Sequence, residues 1–314
     1  MAWYQWRMKA VAAKTETTYG VSSSPAYATD LLYLENVTLT PVQGQATTRQ
    51  IDLGTMSHEL EELVGKYVTI TFDIPLHTSG VIAEPPPYAH ILQACTLAET
   101  ITPAPSPNEG VVYTPVLTGV PSVTLGMRID GLRQVIVGCR GTMRVRASIP
   151  GMLYASITMT GIYAAPVAEA MPTAAPTVAY TQPIPTAKGL TTVTLGGVAL
   201  STTAVEIDLG ATIQYSETTE VREVRVLRRS PTATITCEAD IAPRNWFGAA
   251  DAREELEFIF AHGVGADRMR VRSTVARIGQ IGLTDINGAT GLTIPLRLRS
   301  TSTDPDFQLV YKAA

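Results

Sequence analysis

Residue types that carry chemistry are thinly spread along this 314-residue chain. Its histidines are His58, His77, His90 and His262, and no two stand one helical turn apart or in an H-E-x-x-H pattern that could hold a catalytic metal. Cys95, Cys139 and Cys237 are odd in number, far apart and without a C-x-x-C pair. That argues against a disulfide framework and against a zinc site, so we read them as reduced, buried, small apolar residues. There is no G-x-S-x-G elbow and no phosphate-binding loop. Gly263-Val264-Gly265 lacks a third glycine and a following helix, and reads as a hairpin turn. Carboxylates cluster at Glu59, Glu61 and Glu62 and at Glu254, Glu255 and Glu257. A glycosidase needs two acids opposed across a cleft, which adjacency along the chain does not supply. Arg222, Arg225, Arg228 and Arg229 are interleaved with Glu217, Glu220 and Glu223, a mixture that favours salt bridging between proteins over nucleic-acid binding. No catalytic, cofactor-binding or metal residue is nominated, and the chain reads as a non-enzyme.

Composition points the same way. Charged residues are 17% of the chain against 45% hydrophobic, below the roughly 25% charge of an average soluble protein. Low charge is expected where much of the surface ends up covered by neighbours. A formal net charge of −4 gives no basic field for holding nucleic acid, but suits a surface that DNA passes without sticking. The opening MAWYQWRMKAVAAK has no long apolar stretch and no cleavage site, and nothing approaches the roughly 18 apolar residues of a membrane span. The expectation is a chain that starts out soluble in the cytoplasm. Trp3, Tyr4 and Trp6 are costly to leave in water, so residues 1–30, which lack periodicity, are expected to form an arm that orders on another surface.

The elements that must position these residues are strands. Val68, Ile70, Phe72 and Ile74 alternate with Tyr67, Thr69, Thr71 and Asp73, the period of a half-buried strand, and Pro75 ends it. Further strands are expected over 111–116, 123–129, 132–138, 142–149 and 152–163, with turns at Asp130-Gly131 and Pro150-Gly151. Ala89, Leu92 and Cys95 recur at helical spacing and predict a short helix within 88–100. The Pro- and Ala-rich stretch 166–188 reads as a semi-rigid linker. Beyond it the same order of elements returns. ENVTLTPV from Glu35 is mirrored by GGVALSTT from Gly196, and the strand ending in Asp73-Ile74 by one ending in Asp240-Ile241. A helical patch at 245–255 and an Ile-x-Gly turn at Ile286 complete the parallel. The expected fold is mainly β: an arm (1–30), a first domain (31–165), a linker (166–188) and a second copy of the domain (189–314).

Four segments carry a resemblance to a known family: TETTYGVSSSPAYATDLLYLENVTLTPV from Thr15, GKYVTITFDIPL from Gly65, PYAHILQACTLAETITPAPSPNEGVVYTPV from Pro87, and RGTMRVRASIPGMLYASITMTGIYAAPV from Arg140. Together they resemble the major tail proteins that build the tail tube of long-tailed, non-contractile bacteriophages. The resemblance implies that each domain is a β-sandwich or open barrel with one short flanking helix. It implies rings of six such domains, stacked into a tube whose inner sheets join into one barrel without edges. Double-stranded DNA passes through that tube into the host. A chain with two tube domains would then form homotrimeric rings of pseudo-sixfold symmetry. The implied partners are further copies of the chain, a tape measure protein, a tail terminator and a distal tail protein, in a virion tail assembled in the host cytoplasm. On this reading Asp52, Glu59, Glu61, Glu62, Asp208, Glu217 and Glu220 are candidates for an acidic lumen or an inter-ring contact. Trp3, Tyr4 and Trp6 are candidates for an inter-subunit arm. The alternative is a two-domain β-rich adhesin or carbohydrate-binding module, which calls for exposed aromatic platforms and an export signal.

Overall fold

Alternation of apolar and hydroxyl side chains gives each long strand one face for a core and one for solvent. The computed structural model describes residues 5, 7–49, 60–81, 83–102, 110–172, 177 and 182–312. It is 59% strand and 5% helix, so the mainly β expectation holds. The first run of elements is β1 (Lys9–Thr15), β2 (Leu31–Leu32), β3 (Glu35–Arg49), β4 (Leu60–Pro75), α1 (Ala89–Ala94), β5 (Leu97–Thr102), β6 (Gly110–Pro115), β7 (Val123–Ile129), β8 (Leu132–Ser148), β9 (Leu153–Ile162) and β10 (Val167–Ala168).

These strands make two facing sheets that share β8. The C-terminal part of β8 pairs with β9, which pairs with β4, which pairs with β3. Its N-terminal part pairs instead with β7, then β1, then β2. The changeover falls at a bulge between Val137 and Arg140, where Gly138 has φ +64°. A bulge bends a strand enough to pass from one sheet to the other, and glycine adopts that backbone without strain. Sequence periodicity suggested two separate strands here; the structure has one bent strand.

Two local expectations are corrected. The helix stops at Ala94, because Thr96 takes φ +69° and Leu97 starts β5. Part of the stretch expected as an arm over 1–30 is a strand of the sheet: Lys9–Thr15 pairs along its whole length with β7, and Ala10–Ala13 are all buried. Four consecutive small apolar residues, covered on both faces, leave no period of two to detect. The buried Glu16 then pins the chain. Its carboxylate accepts hydrogen bonds from Ser122 Oγ (2.6 Å), Thr124 Oγ1 (2.8 Å), Gly138 N (2.7 Å) and Gly20 N (2.9 Å), the solvation a buried charge requires. Trp3, Tyr4 and Trp6 lie outside the described residues.

The second run is β11 (Thr191–Leu195), β12 (Val198–Ala199), β13 (Thr202–Asp208), β14 (Ala211–Glu217), β15 (Arg222–Arg229), β16 (Thr232–Glu238), α2 (Trp246–Asp251), β17 (Leu256–His262), β18 (Arg268–Ile278), β19 (Gly282–Ile286), β20 (Ala289–Arg299) and β21 (Gln308–Lys312). One sheet runs β13, β16, β20, with β19 and the end of β18 beside β20. The facing sheet runs β21, β18, β17, β11, β12. The helix α2 buries Trp246 and is capped by Asn245, whose Oδ1 accepts from Gly248 N at 3.1 Å.

Pairing aligns the two runs more sharply than residue identity could. Ile70 faces Met159 on β9 as Ile235 faces Ile294 on β20. Setting Ile70 beside Ile235 on that basis would make Glu238, not Asp240, the position matching Asp73. Leu39 lies opposite Ile70 and Val205 opposite Ile235, so the same alignment would match β3 with β13 and β14. On that alignment β8 would match β18 and β19 together.

Two seams join the runs. Arg144–Ser148 of β8 pair antiparallel with Ala204–Asp208 of β13, so one sheet continues through β3, β4, β9, β8, β13, β16, β20 and β19. The core continues under it through Met143, Val145, Val205, Ile207 and Leu209, all buried. Elsewhere β6 pairs with β21, and the buried Tyr88 and Tyr311 hydroxyls meet at 3.1 Å. The expected linker is tied down in part, since β10 pairs with β8 and Thr186 bridges to Gly151.

Cys95, Cys139 and Cys237 are all free and buried. Burial pushes the Cys95 thiol up to about 12 and the Cys139 thiol well above its ordinary value. Only the thiolate is reactive, so the native protein at pH 8 should leave Ellman's reagent unreduced while all three thiols react in guanidinium. Prompt labelling of the native chain would show that the cores are not packed this way.

Candidate functional site: the polar face of the continuous sheet

The side chains of the continuous sheet that turn away from the core are largely hydroxyls. Thr69 and Thr71 of β4 stand opposite Thr160 and Thr158 of β9, and Thr158 stands opposite Thr142 of β8. Beyond the seam, Thr236 of β16 stands opposite Thr293 of β20. Such cross-strand hydroxyl pairs each add roughly 0.2–1 kcal/mol. They also leave the face polar without leaving it charged.

Around the seam the charges on this face are closed on one another. Arg144 reaches across the seam, bonding Asp208 through Nε (3.1 Å) and Nη2 (2.7 Å) and Glu206 through Nη1 (2.8 Å). Arg146 Nη2 lies 3.0 Å from Asp73 Oδ1. Asp73 also accepts from Asn36 Nδ2 at 2.9 Å and from Ser156 Oγ. The arginines are half exposed, so each pair adds little stability on its own. Their effect is to align β3, β4, β9, β8 and β13 and to leave few charges for a phosphate to meet. Affinity for a phosphate backbone needs cations that are free to neutralise it.

The β14–β15 hairpin folds back over one end of this face. Tyr215 stacks on Tyr67 with ring centroids 5.4 Å apart. Arg140 donates to Val224 O (2.8 Å) and Val120 O (2.9 Å), and its guanidinium lies 4.9 Å from the centre of the Tyr19 ring. Val224 N donates to Tyr19 Oη, and Val224 is fully buried. The hairpin is thus clamped to the first run of elements through hydrogen bonds, ring stacking and a cation–π contact.

The acidic residues singled out from sequence scatter. Asp208 sits on the polar face at the seam. Glu217 lies at the far end of β14, paired with Arg222 at 2.7 Å and accepting from Tyr215 Oη at 3.0 Å, and Glu220 is exposed in the β14–β15 turn. Glu61 and Glu62 are exposed near the far end of β4, away from the hydroxyl rows. Asp52 and Glu59 lie outside the described residues. Asp73, Glu206, Arg144 and Arg146, which the pairing brings together, were not singled out. For Asp73 a signal existed, since it falls on the threonine side of the β4 alternation.

His77 and His262 flank a cavity of about 10 Å³ beside Asp267, too small for a substrate. His262 Nε2 donates to Ile184 O (3.0 Å) while its Nδ1 accepts from Thr191 Oγ1 (2.9 Å), and burial lowers the pKa of both rings. These are structural histidines. Among the described residues no three His, Cys, Asp or Glu stand close enough to hold a metal ion, and no helix is long and apolar enough to cross a membrane.

Among known families, a model described as phage tail tube protein matches residues 6–297, nearly the whole chain. No curated protein matches it.

The hydrogen-bond cluster around Asp73 has a pH signature. Partial burial alone would raise its pKa, but donors from Ser156 and Asn36 and the Arg146 charge outweigh that and hold the carboxyl below its ordinary value of 3.8. A lowered folded pKa stabilises above the unfolded value, and that contribution is lost as pH falls through the folded one. Asp73→Asn should lower the melting temperature at pH 7 by about 2–4 °C, with the gap to the parent closing below about pH 4. A gap that stays constant with pH would exclude the carboxylate charge as its cause.

Proposed function

The chain belongs to the phage tail tube protein family, structural components of the virion tail, and on that premise we propose that it polymerises head to tail into the rings of a tube that conducts double-stranded DNA to the host cell. The observation that carries this reading is the β8–β13 seam. It joins two similar sets of strands side by side, and at either end it leaves a strand, β3 or β19, that has no partner on its outer edge among the described residues. An unpaired edge is a template for another chain. The chain would thus carry two tandem tube domains, one on each side of the linker at 166–188, the first including β1.

Equivalent positions support a place for the second seam. Met143 lies opposite Ile157, which lies opposite Phe72. Leu283 lies opposite Leu292, which lies opposite Cys237, the counterpart of Phe72. Met143 is fully buried under the internal seam, whereas Leu283 is 74% exposed. We assign β19 of one copy to pair with β3 of the next, covering Leu283 as β13 covers Met143. Repetition of that step closes a ring of three copies in the pseudo-sixfold arrangement, with the hydroxyl face lining the lumen.

On this reading the wall differs from the acidic lumen expected from sequence. DNA would meet threonine hydroxyls and closed ion pairs, which neither hold phosphate nor repel it strongly. Rings stacked in the host cytoplasm, ended by a tail terminator and a distal tail protein and threaded by a tape measure protein, complete the proposed assembly.

Negative-stain microscopy and sedimentation test it. The unmodified chain at high concentration should give rings or tubes with three chains per ring. Leu283→Glu, at an exposed site, should keep the parent circular dichroism and melting temperature but remain monomeric. Uniform monomers from the unmodified chain would overturn the assembly reading. Normal tubes from Leu283→Glu would overturn the edge assignment, and six chains per ring the stoichiometry.

A further inference from the structure

The charge balance found around the seam is lost at the far end of the second run. There Arg297 of β20 stands opposite Arg277 of β18, and Arg299 lies two residues further along the same face of β20. Like charges placed directly opposite one another destabilise a sheet. Glu255 offsets part of this. Its Oε1 accepts from Arg277 Nη2 at 2.6 Å and Nε at 3.2 Å, and lies 3.4 Å from Arg299 Nη1. Arg297 is exposed and has no acidic partner among the described residues. Arg144 at the seam, by contrast, has Glu206 at 2.8 Å and Asp208 at 2.7 Å.

The same surface is concave. A cavity of about 550 Å³ is lined by Arg229, Ser230, Thr232, Arg297, Arg299 and Asp306, within the range of roughly 300–1,000 Å³ usual for small-ligand sites. Asp306, its acidic group, is already committed: its two oxygens lie 2.9 and 2.8 Å from Arg229 Nη2, and each side chain of that pair is only 11% exposed. The lining therefore keeps the charge of Arg297 and Arg299 without an acid of its own to cancel it. Thr232 stands opposite Arg297, and Ser230 and Thr232 are both exposed, which adds hydroxyl donors.

We propose that this cavity binds a phosphate-type oxyanion, held by the Arg297 and Arg299 guanidiniums and the hydroxyls of Ser230 and Thr232. Guanidinium forks match tetrahedral and planar oxyanions and make the stronger, charge-assisted hydrogen bonds. A metal cation would meet like charge here. A carboxylate would offset one of the two arginines, whereas a phosphate has the charge and the acceptor oxygens to engage both. The phosphate could come from free inorganic phosphate or from the backbone of a DNA duplex. The site belongs to the single chain and needs no assembly; only the duplex source rests on the reading that this face lines a lumen.

Two titrations of the full-length chain at low ionic strength test it, one with inorganic phosphate followed by phosphorus NMR line broadening, the other with a short fluorescent DNA duplex followed by anisotropy. Saturable binding is expected in at least one. Arg297→Gln with Arg299→Gln should weaken it by about tenfold or more, the loss expected for hydrogen bonds to a charged group. Arg222→Gln with Arg225→Gln, which removes the same charge from exposed positions of β15, should leave it near the parent. All four positions are exposed, so circular dichroism and melting temperature should stay at parent values in both variants. Phosphate binding without duplex binding would assign the site to a free anion. Duplex binding lost in the Arg297 and Arg299 variant would assign it to the DNA backbone. Binding of neither ligand, or equal binding by the two variants, would overturn the site and leave the tube reading to its own assembly test.

Discussion

Everything in this molecule follows from how strand edges are dealt with. A β-strand offers hydrogen bonds on two sides, and a sheet of finite width must leave some unmade. Within the chain the problem is handled by pairing one sheet directly onto the next through β8 and β13. The core beneath runs on without a gap, so the seam is as dry as the interior of either sandwich. The demand for partners is thereby moved to β3 and β19.

The two faces of the continuous sheet divide the work. The inward face is packed by alternating Ile, Val, Leu and Met, and the outward face carries threonine rows and arginine–carboxylate pairs that cross from strand to strand. Threonine suits both demands, because its branched side chain favours extended backbone while its hydroxyl keeps the face wet. The charges that remain are held by neighbours, Arg144 by Glu206 and Asp208 and Arg146 by Asp73. Around the seam the face is therefore polar, with hydroxyls between closed ion pairs.

How much of this could be read from the chain depended on whether the cue was local. The alternation from Tyr67 to Ile74 predicted β4, its core face and the outward position of Asp73. β1 was hidden because Ala10–Ala13 are buried on both sides, which erases periodicity. The helix was overextended because Leu97, which looked like its next apolar turn, belongs to β5. The acidic residues chosen from sequence were those clustered along the chain. The charges that meet in space, Asp73 with Arg146 and Arg144 with Asp208, are 73 and 64 residues apart, a distance no local pattern spans.

The β8–β13 seam has one more consequence, which concerns dilution. Its two strands belong to one polypeptide, tethered by a stretch of fewer than 60 residues between Ser148 and Thr202. A tether of that kind holds the strands at an effective concentration that no dilution of the solution can lower, whereas a seam between separate molecules weakens as they are spread apart. In the proposed assembly, one of any two successive seams would therefore be permanent and one conditional. The smallest unit such a row could be taken apart into would be a single chain, already holding one joint in the register that the next would have to copy.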